Sequence, residues 1–200
     1  MTAPIDFYFD FASPYGYLAS HRIDAIGERN GRAVTWRPIM LGAMFKAVGT
    51  APLVTYPLKG EYSRRDLQRS ARALGVELGF PEGFPHGTLA AARGFYWLGE
   101  SDPGKQKPFA KAFYHAYFGE GRNVSEMEPT ADIAASAGIG REAFIAAVQE
   151  PAIKERLKTE TSAALERGVF GAPFVFVDGE PFWGVDHLDQ VERWLETGGW

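Results

Sequence analysis

"PIDFYFDFASPYGYLASHRI", residues 4–23, carries the reading from which the rest follows. Residues 5–11 are an apolar and aromatic run interrupted only by two aspartates, and they predict a buried strand. Ser13-Pro14 then marks a helix start. Serine is a favoured cap, and the missing N–H of proline costs nothing in a first turn. Tyr17, Leu18, His21, Ile23 and Ile26 continue a helical stripe to Asn30-Gly31, a C-terminal cap signal. Residues 33–37, AVTWR, predict a second strand ended by Pro38. A strand–helix–strand unit of this kind is expected to be right-handed and parallel.

From about Met40 to Glu150 the strand signals vanish. Residues 62–74, 88–100, 105–118, 130–136 and 141–149 predict helices, separated by Gly and Pro clusters such as GFPEGFPHG. Residues 152–167 predict a further amphipathic helix, ending at Gly168. Strands then return at 174–177 and 181–183 across an Asp178-Gly179 hairpin turn, and a last helix is expected over 187–196. The order is β-α-β, a helical stretch, then α-β-β-α, and the two ends need each other to close one sheet. The expected fold class is α/β: a thioredoxin-like domain of residues 1–39 and 151–200, with residues 40–150 as an inserted all-helical domain.

Composition narrows the functions open to such a chain. Of 200 residues, 46% are hydrophobic and 23% charged, enough apolar surface for a sizeable core. The net charge of −4 and the lack of any basic stripe argue against nucleic acid as a partner. No apolar run approaches the roughly 18 residues that a membrane span requires. MTAPIDFYF has neither a charged start nor a cleavage site, so the cytoplasm is the expected compartment. His21, His86, His115 and His187 show no metal-ligand spacing, and no metal is expected. There is no cysteine, which excludes disulfides and dithiol chemistry.

FYFDFASPYGYL, taken with VFGAPFVFVDGEPFWGVDHL and the block RPIMLGAMFKAVG, resembles the DsbA-related group. Within it the chain is similar to kappa-class glutathione transferases, and most of all to 2-hydroxychromene-2-carboxylate isomerases, over essentially its whole length. The resemblance places Ser13 where the redox relatives carry their attacking cysteine. A serine there has two readings, a helix cap or a hydroxyl that donates to a thiolate supplied from outside. A free thiol, with a pKa of about 8.5, is mostly protonated at neutral pH, so such help matters. No His–carboxylate pair is signalled that would make Ser13 itself a nucleophile. Glutathione is the implied source of the thiol, and so the implied cofactor.

The same resemblance implies the rest of the site. Pro173 in Gly171-Ala172-Pro173 should be cis and face Ser13, with Ala172 offering its backbone N–H and C=O to the cysteinyl part of glutathione. Asp186, otherwise a helix cap by its position, would hold the γ-glutamyl end. Val185 stands where the relatives carry Ser or Asn, and leaves only its backbone for that purpose. Lys59 would pair with the glycyl carboxylate, or else is an ordinary surface lysine. Thr50 replaces an Asn that reaches the thiol region. Lys46 could orient a substrate carboxylate or be solvated. Phe45, Tyr62, Trp97 and Trp183 are expected mainly in the core, with Phe45 and Trp183 available to wall an apolar substrate pocket. The implied activity is isomerisation of a small aromatic acid by a homodimer. A kappa-type transferase or peroxidase and a non-catalytic thioredoxin-like binding module are the alternatives.

Overall fold

A computed structural model describes residues 3–200. Four strands form one mixed sheet in the order β2-β1-β3-β4: β1 (Ile5–Phe9), β2 (Val34–Pro38), β3 (Phe174–Val177) and β4 (Glu180–Trp183). β1 pairs parallel with β2, with Phe7 opposite Trp36, and antiparallel with β3, with Phe7 opposite Val175. The two ends of the chain therefore close a single sheet, as expected. The hairpin turn is legible in its two residues: Asp178 at φ 52° and Gly179 at φ 94° give the pair of positive angles that an Asp-Gly turn accommodates.

Strand alternation sorts the side chains onto two faces. Ile5, Phe7 and Phe9 join Trp36, Val175, Val177 and Phe182 on one face. On that face lie α1 (Pro14–Ser20), α2 (Ile23–Arg29) and α10 (Leu188–Thr197), and residues of α5 (Leu89–Ser101) and α6 (Gln106–Tyr114) join the same core. Tyr8, Phe174 and Phe176 point the other way, into a smaller cluster with Ile39, Met44, Ala164 and Val169. α3 (Leu41–Val48) and α9 (Pro151–Glu166) supply that cover.

Several elements differ from the sequence reading. β1 stops at Phe9, because the Asp10 carboxylate turns back to accept from Ala12 N at 2.7 Å. The helix expected from Pro14 to Asn30 breaks into α1 and α2 at His21-Arg22. α3 was not foreseen as a helix, and α4 (Pro57–Leu74) starts five residues early, with Pro57 in its first turn. The expected helix 105–118 is α6 followed by a π-helical turn, His115–Gly119. Two further helices, α7 (Met127–Ser136) and α8 (Arg141–Gln149), complete the stretch between β2 and β3.

One buried carboxylate lies within the sheet. Asp6, 9% exposed, accepts from Arg37 Nε at 2.8 Å and from Arg167 Nη1 at 2.5 Å. Burial alone would raise its pKa, but the two guanidinium partners outweigh burial and hold it below the usual carboxylate value. A depressed folded pKa gives stability that is present above the unfolded value and lost as pH falls through the folded one. Asp6→Asn should therefore cost about 1–3 kcal/mol at pH 7. In urea titrations the gap to wild type should close once the pH drops below the ordinary carboxylate range. An equal gap at both ends would show that packing, not charge, is what Asn loses.

Candidate active site

α1 begins where β1 has just ended, and Ser13 is its N-cap. The hydroxyl oxygen accepts from Gly16 N at 3.0 Å, so the capping reading holds. The same hydroxyl donates to Ala172 O at 3.1 Å, across 159 residues of sequence. Its proton thus rests on a carbonyl, and among the described residues no base bonds to the Ser13 hydroxyl to make it a nucleophile. Ser13 is 3% exposed. Gly16 has to be glycine because a Cβ there would lie 2.7 Å from the hydroxyl of buried Tyr114.

The Ala172–Pro173 bond is cis, as the sequence led us to expect. Ala172 is half-buried and packs beside the second-face cluster that holds Met44. Among the described residues its N–H has no backbone partner, while its carbonyl carries the Ser13 contact. Pro173 is buried, and its carbonyl accepts from Gly184 N at 3.0 Å, which ties the end of β4 to the same loop. Gly184, at φ 104°, opens a one-turn 3-10 helix, Val185–His187. A Cβ at Gly184 would collide with the Asp186 carboxylate. Val185 is buried in the core at 8% exposure, so only its backbone is available to a ligand. Asp186 is not a helix cap. His187 fills that position for α10, and the Asp186 side chain is 80% exposed.

α1 packs against both α4 and the Val185–His187 turn. Tyr15 marks that junction: its hydroxyl donates to Asp66 Oδ2 of α4 at 3.0 Å. Burial, then Asp66, Tyr62 and Asp186, all push its pKa up. Lys59 is exposed in the first turns of α4, over the Tyr56 ring at 5.5 Å. Seven residues separate it from Asp66, so the two share one face of the helix. α3 flanks the cis-proline loop from the other direction. Its Met44 is buried against that loop, and Phe45 is half-buried. Lys46 and Thr50 are exposed at its outer end, and Thr50 follows the left-handed Gly49. Trp183 and Tyr62 are not core residues: they are 52% and 64% exposed. Trp183 packs edge-on with Phe170 at 5.0 Å beside Gly171.

The sequence reading missed Asp10, Thr88, Tyr114, Tyr15 and Asp66. A signal existed for Asp10, since a carboxylate at the end of a buried aromatic strand must find donors. Thr88 and Tyr114 reach it from 78 and 104 residues away, a proximity that no local pattern encodes.

A family model, the DSBA-like thioredoxin domain, matches residues 4–196. The chain is 33% identical over 197 residues to a 2-hydroxychromene-2-carboxylate isomerase of Sphingobium xenophagum, covering 98% of this chain and 99% of that protein. It is 21% identical to glutathione S-transferase kappa 1 of Rattus norvegicus, over 96% of this chain and 92% of that one. A solved 2-hydroxychromene-2-carboxylate isomerase superposes with a TM-score of 0.87 at 31% identity, covering 96% of this chain and 94% of the other.

Proposed function

We propose that this chain, which belongs to the DSBA-like thioredoxin domain family and within it to the 2-hydroxychromene-2-carboxylate isomerase group, is a glutathione-dependent isomerase of an aromatic 2-oxo or hemiketal acid. The observation that carries this reading is the Ser13 hydroxyl, which accepts from Gly16 N–H and donates to the Ala172 carbonyl beside cis-Pro173. The surrounding groups fit the tripeptide. Among the described residues Ala172 has an N–H with no backbone partner for the tripeptide's backbone, Asp186 presents an exposed carboxylate beside His187 for its amine end, and Lys59 is exposed for its glycyl carboxylate.

Glutathione, when bound, supplies a thiolate that adds reversibly to a conjugated carbon of the substrate, frees the adjacent bond to rotate, and leaves again. The protein's part is to hold that charge. Ser13 keeps Gly16 N–H on its oxygen while its O–H swings from the Ala172 carbonyl to the sulfur. The carbonyl so released accepts from the tripeptide's own N–H, in the manner of an added strand. The first-turn N–H groups of α1 favour an anion at this point. Phe45 and Trp183 offer apolar surface to the aromatic acid, and Lys46 a charge to its carboxylate. The reaction is of the type that interconverts 2-hydroxychromene-2-carboxylate and trans-o-hydroxybenzylidenepyruvate.

The test is turnover of that substrate with and without glutathione, followed by mass spectrometry of the product. Unchanged mass with an absolute need for glutathione is expected. A glutathione adduct would establish transferase chemistry instead, and no effect of millimolar glutathione would leave a binding module. Because Lys59 and Asp186 are both exposed, Lys59→Ala and Asp186→Ala should each raise the KM for glutathione only about two- to fivefold, with kcat little changed. Unaltered KM in both variants would remove these residues from the site.

A further inference from the structure

Asp10 follows the last residue of β1, three positions before Ser13, is 7% exposed, and accepts five hydrogen bonds. Its carbonyl takes Ser13 N at 2.9 Å and the Tyr114 hydroxyl at 2.8 Å. Its carboxylate takes Ala12 N at 2.7 Å, Leu41 N at 2.6 Å and Thr88 Oγ1 at 3.2 Å. Leu41 is the first residue of α3, Thr88 precedes α5, and Ser13 caps α1. Three helix starts from distant parts of the chain meet on one residue. Every side-chain partner is a donor, which favours the charged form. Burial opposes it and is the larger influence on its titration, raising it above the usual carboxylate value. The titratable groups that face it are Tyr114 and Tyr117, both with phenols raised first by burial, and no cation pairs with it among the described residues.

We propose that Asp10 is a positioning residue of the thiol site: it fixes the starts of α1, α3 and α5 around position 13, and its buried carboxyl group and a thiol held there oppose each other's ionisation. The helix start pulls such a thiol toward the anion, and Asp10 pulls it back. The balance matters because thiolate nucleophilicity falls as thiol pKa falls, and a thiol titrating near ambient pH attacks best. The inference rests on reading position 13 as the thiol-holding point, but its test needs no glutathione.

The chain has no cysteine, so Ser13→Cys places a single thiol at this position, and its thiolate can be followed by ultraviolet absorbance against pH. Adding Asp10→Asn should lower the titration midpoint by about one unit, the effect of a unit charge within about 10 Å at an effective dielectric constant of about 20. A purely structural Asp10 would lower the melting temperature and leave the midpoint where it was, and that result would overturn the proposal. Should the Asn variant not fold, Thr88→Val in the same background removes one donor to the carboxylate and so weakens its charged form. It should lower the midpoint by several tenths of a unit, and coincident curves there would overturn the proposal equally. A failure of the glutathione reading would appear in turnover and leave this titration untouched.

Discussion

Phe11→Ala should cost about 3–5 kcal/mol, enough to consume much of the stability of an ordinary domain. Phe11 is fully buried. Its ring lies 5.1 Å from Phe9, 5.1 Å from Phe113, 5.5 Å from Tyr114, 6.2 Å from Phe109 and 6.5 Å from Phe95. Those neighbours come from β1, α5 and α6, so this ring joins the sheet to the helices between β2 and β3. Rigid rings cannot close over the space that alanine would leave, which places the cost at the upper end for large-to-small changes. Urea unfolding should show a lower midpoint with an unchanged slope, because the surface exposed on unfolding hardly alters. A loss under about 1 kcal/mol would mean that the helices repack freely, and that the aromatic cluster does not join the two parts.

How much of this was legible in the sequence depends on how local the cause is. The hairpin was legible because Asp178-Gly179 carries its own turn geometry. α1 was legible at its start, where Ser13 and Pro14 sit in adjoining positions that favour only one conformation. Its end was not, since the stripe from Tyr17 to Ile26 continues past the break at His21-Arg22. α3 escaped notice because it is eight residues long and holds a glycine at its second position. It is stabilised from outside, by Met44 in the second-face cluster and by Asp10 on Leu41 N. The site divides in the same way. Ser13 could be picked out from its own neighbours as a helix cap, and its place in the site, like those of Asp186 and Lys59, only by resemblance, because a ligand's outline is not a periodic signal. Trp183 and Tyr62 were expected inside on composition, yet both stand at the surface bordering α1 and the cis-proline loop. Asp10 was read as part of a strand, and its function in the fold depends on partners at 41, 88 and 114.

Ser13→Ala should reduce isomerase turnover at neutral pH about ten- to a hundredfold, while the KM for glutathione changes much less. The hydroxyl makes two contacts in the protein, and they predict different things. As a cap it accepts from Gly16 N–H, and losing that costs about 1 kcal/mol of stability. As a donor it now holds Ala172 O, and that proton is what the thiolate would receive. A hydrogen bond to a charged group is worth about 1.5–3 kcal/mol, which sets the size of the rate effect. The bound thiol's pKa should rise in the variant, so part of the lost rate should return at higher pH, where the thiolate forms without help. Gly16 N–H and the rest of the first turn remain in place, and for that reason the loss should not be complete. The two contacts separate cleanly in the measurement. If Ser13 is only a cap, the variant melts lower and its pH–rate profile superimposes on that of wild type. If it holds the thiolate, the profile moves to higher pH by an amount that matches the loss at neutral pH. A thermal shift with an unmoved profile would therefore leave Ser13 its structural part and take away the catalytic one.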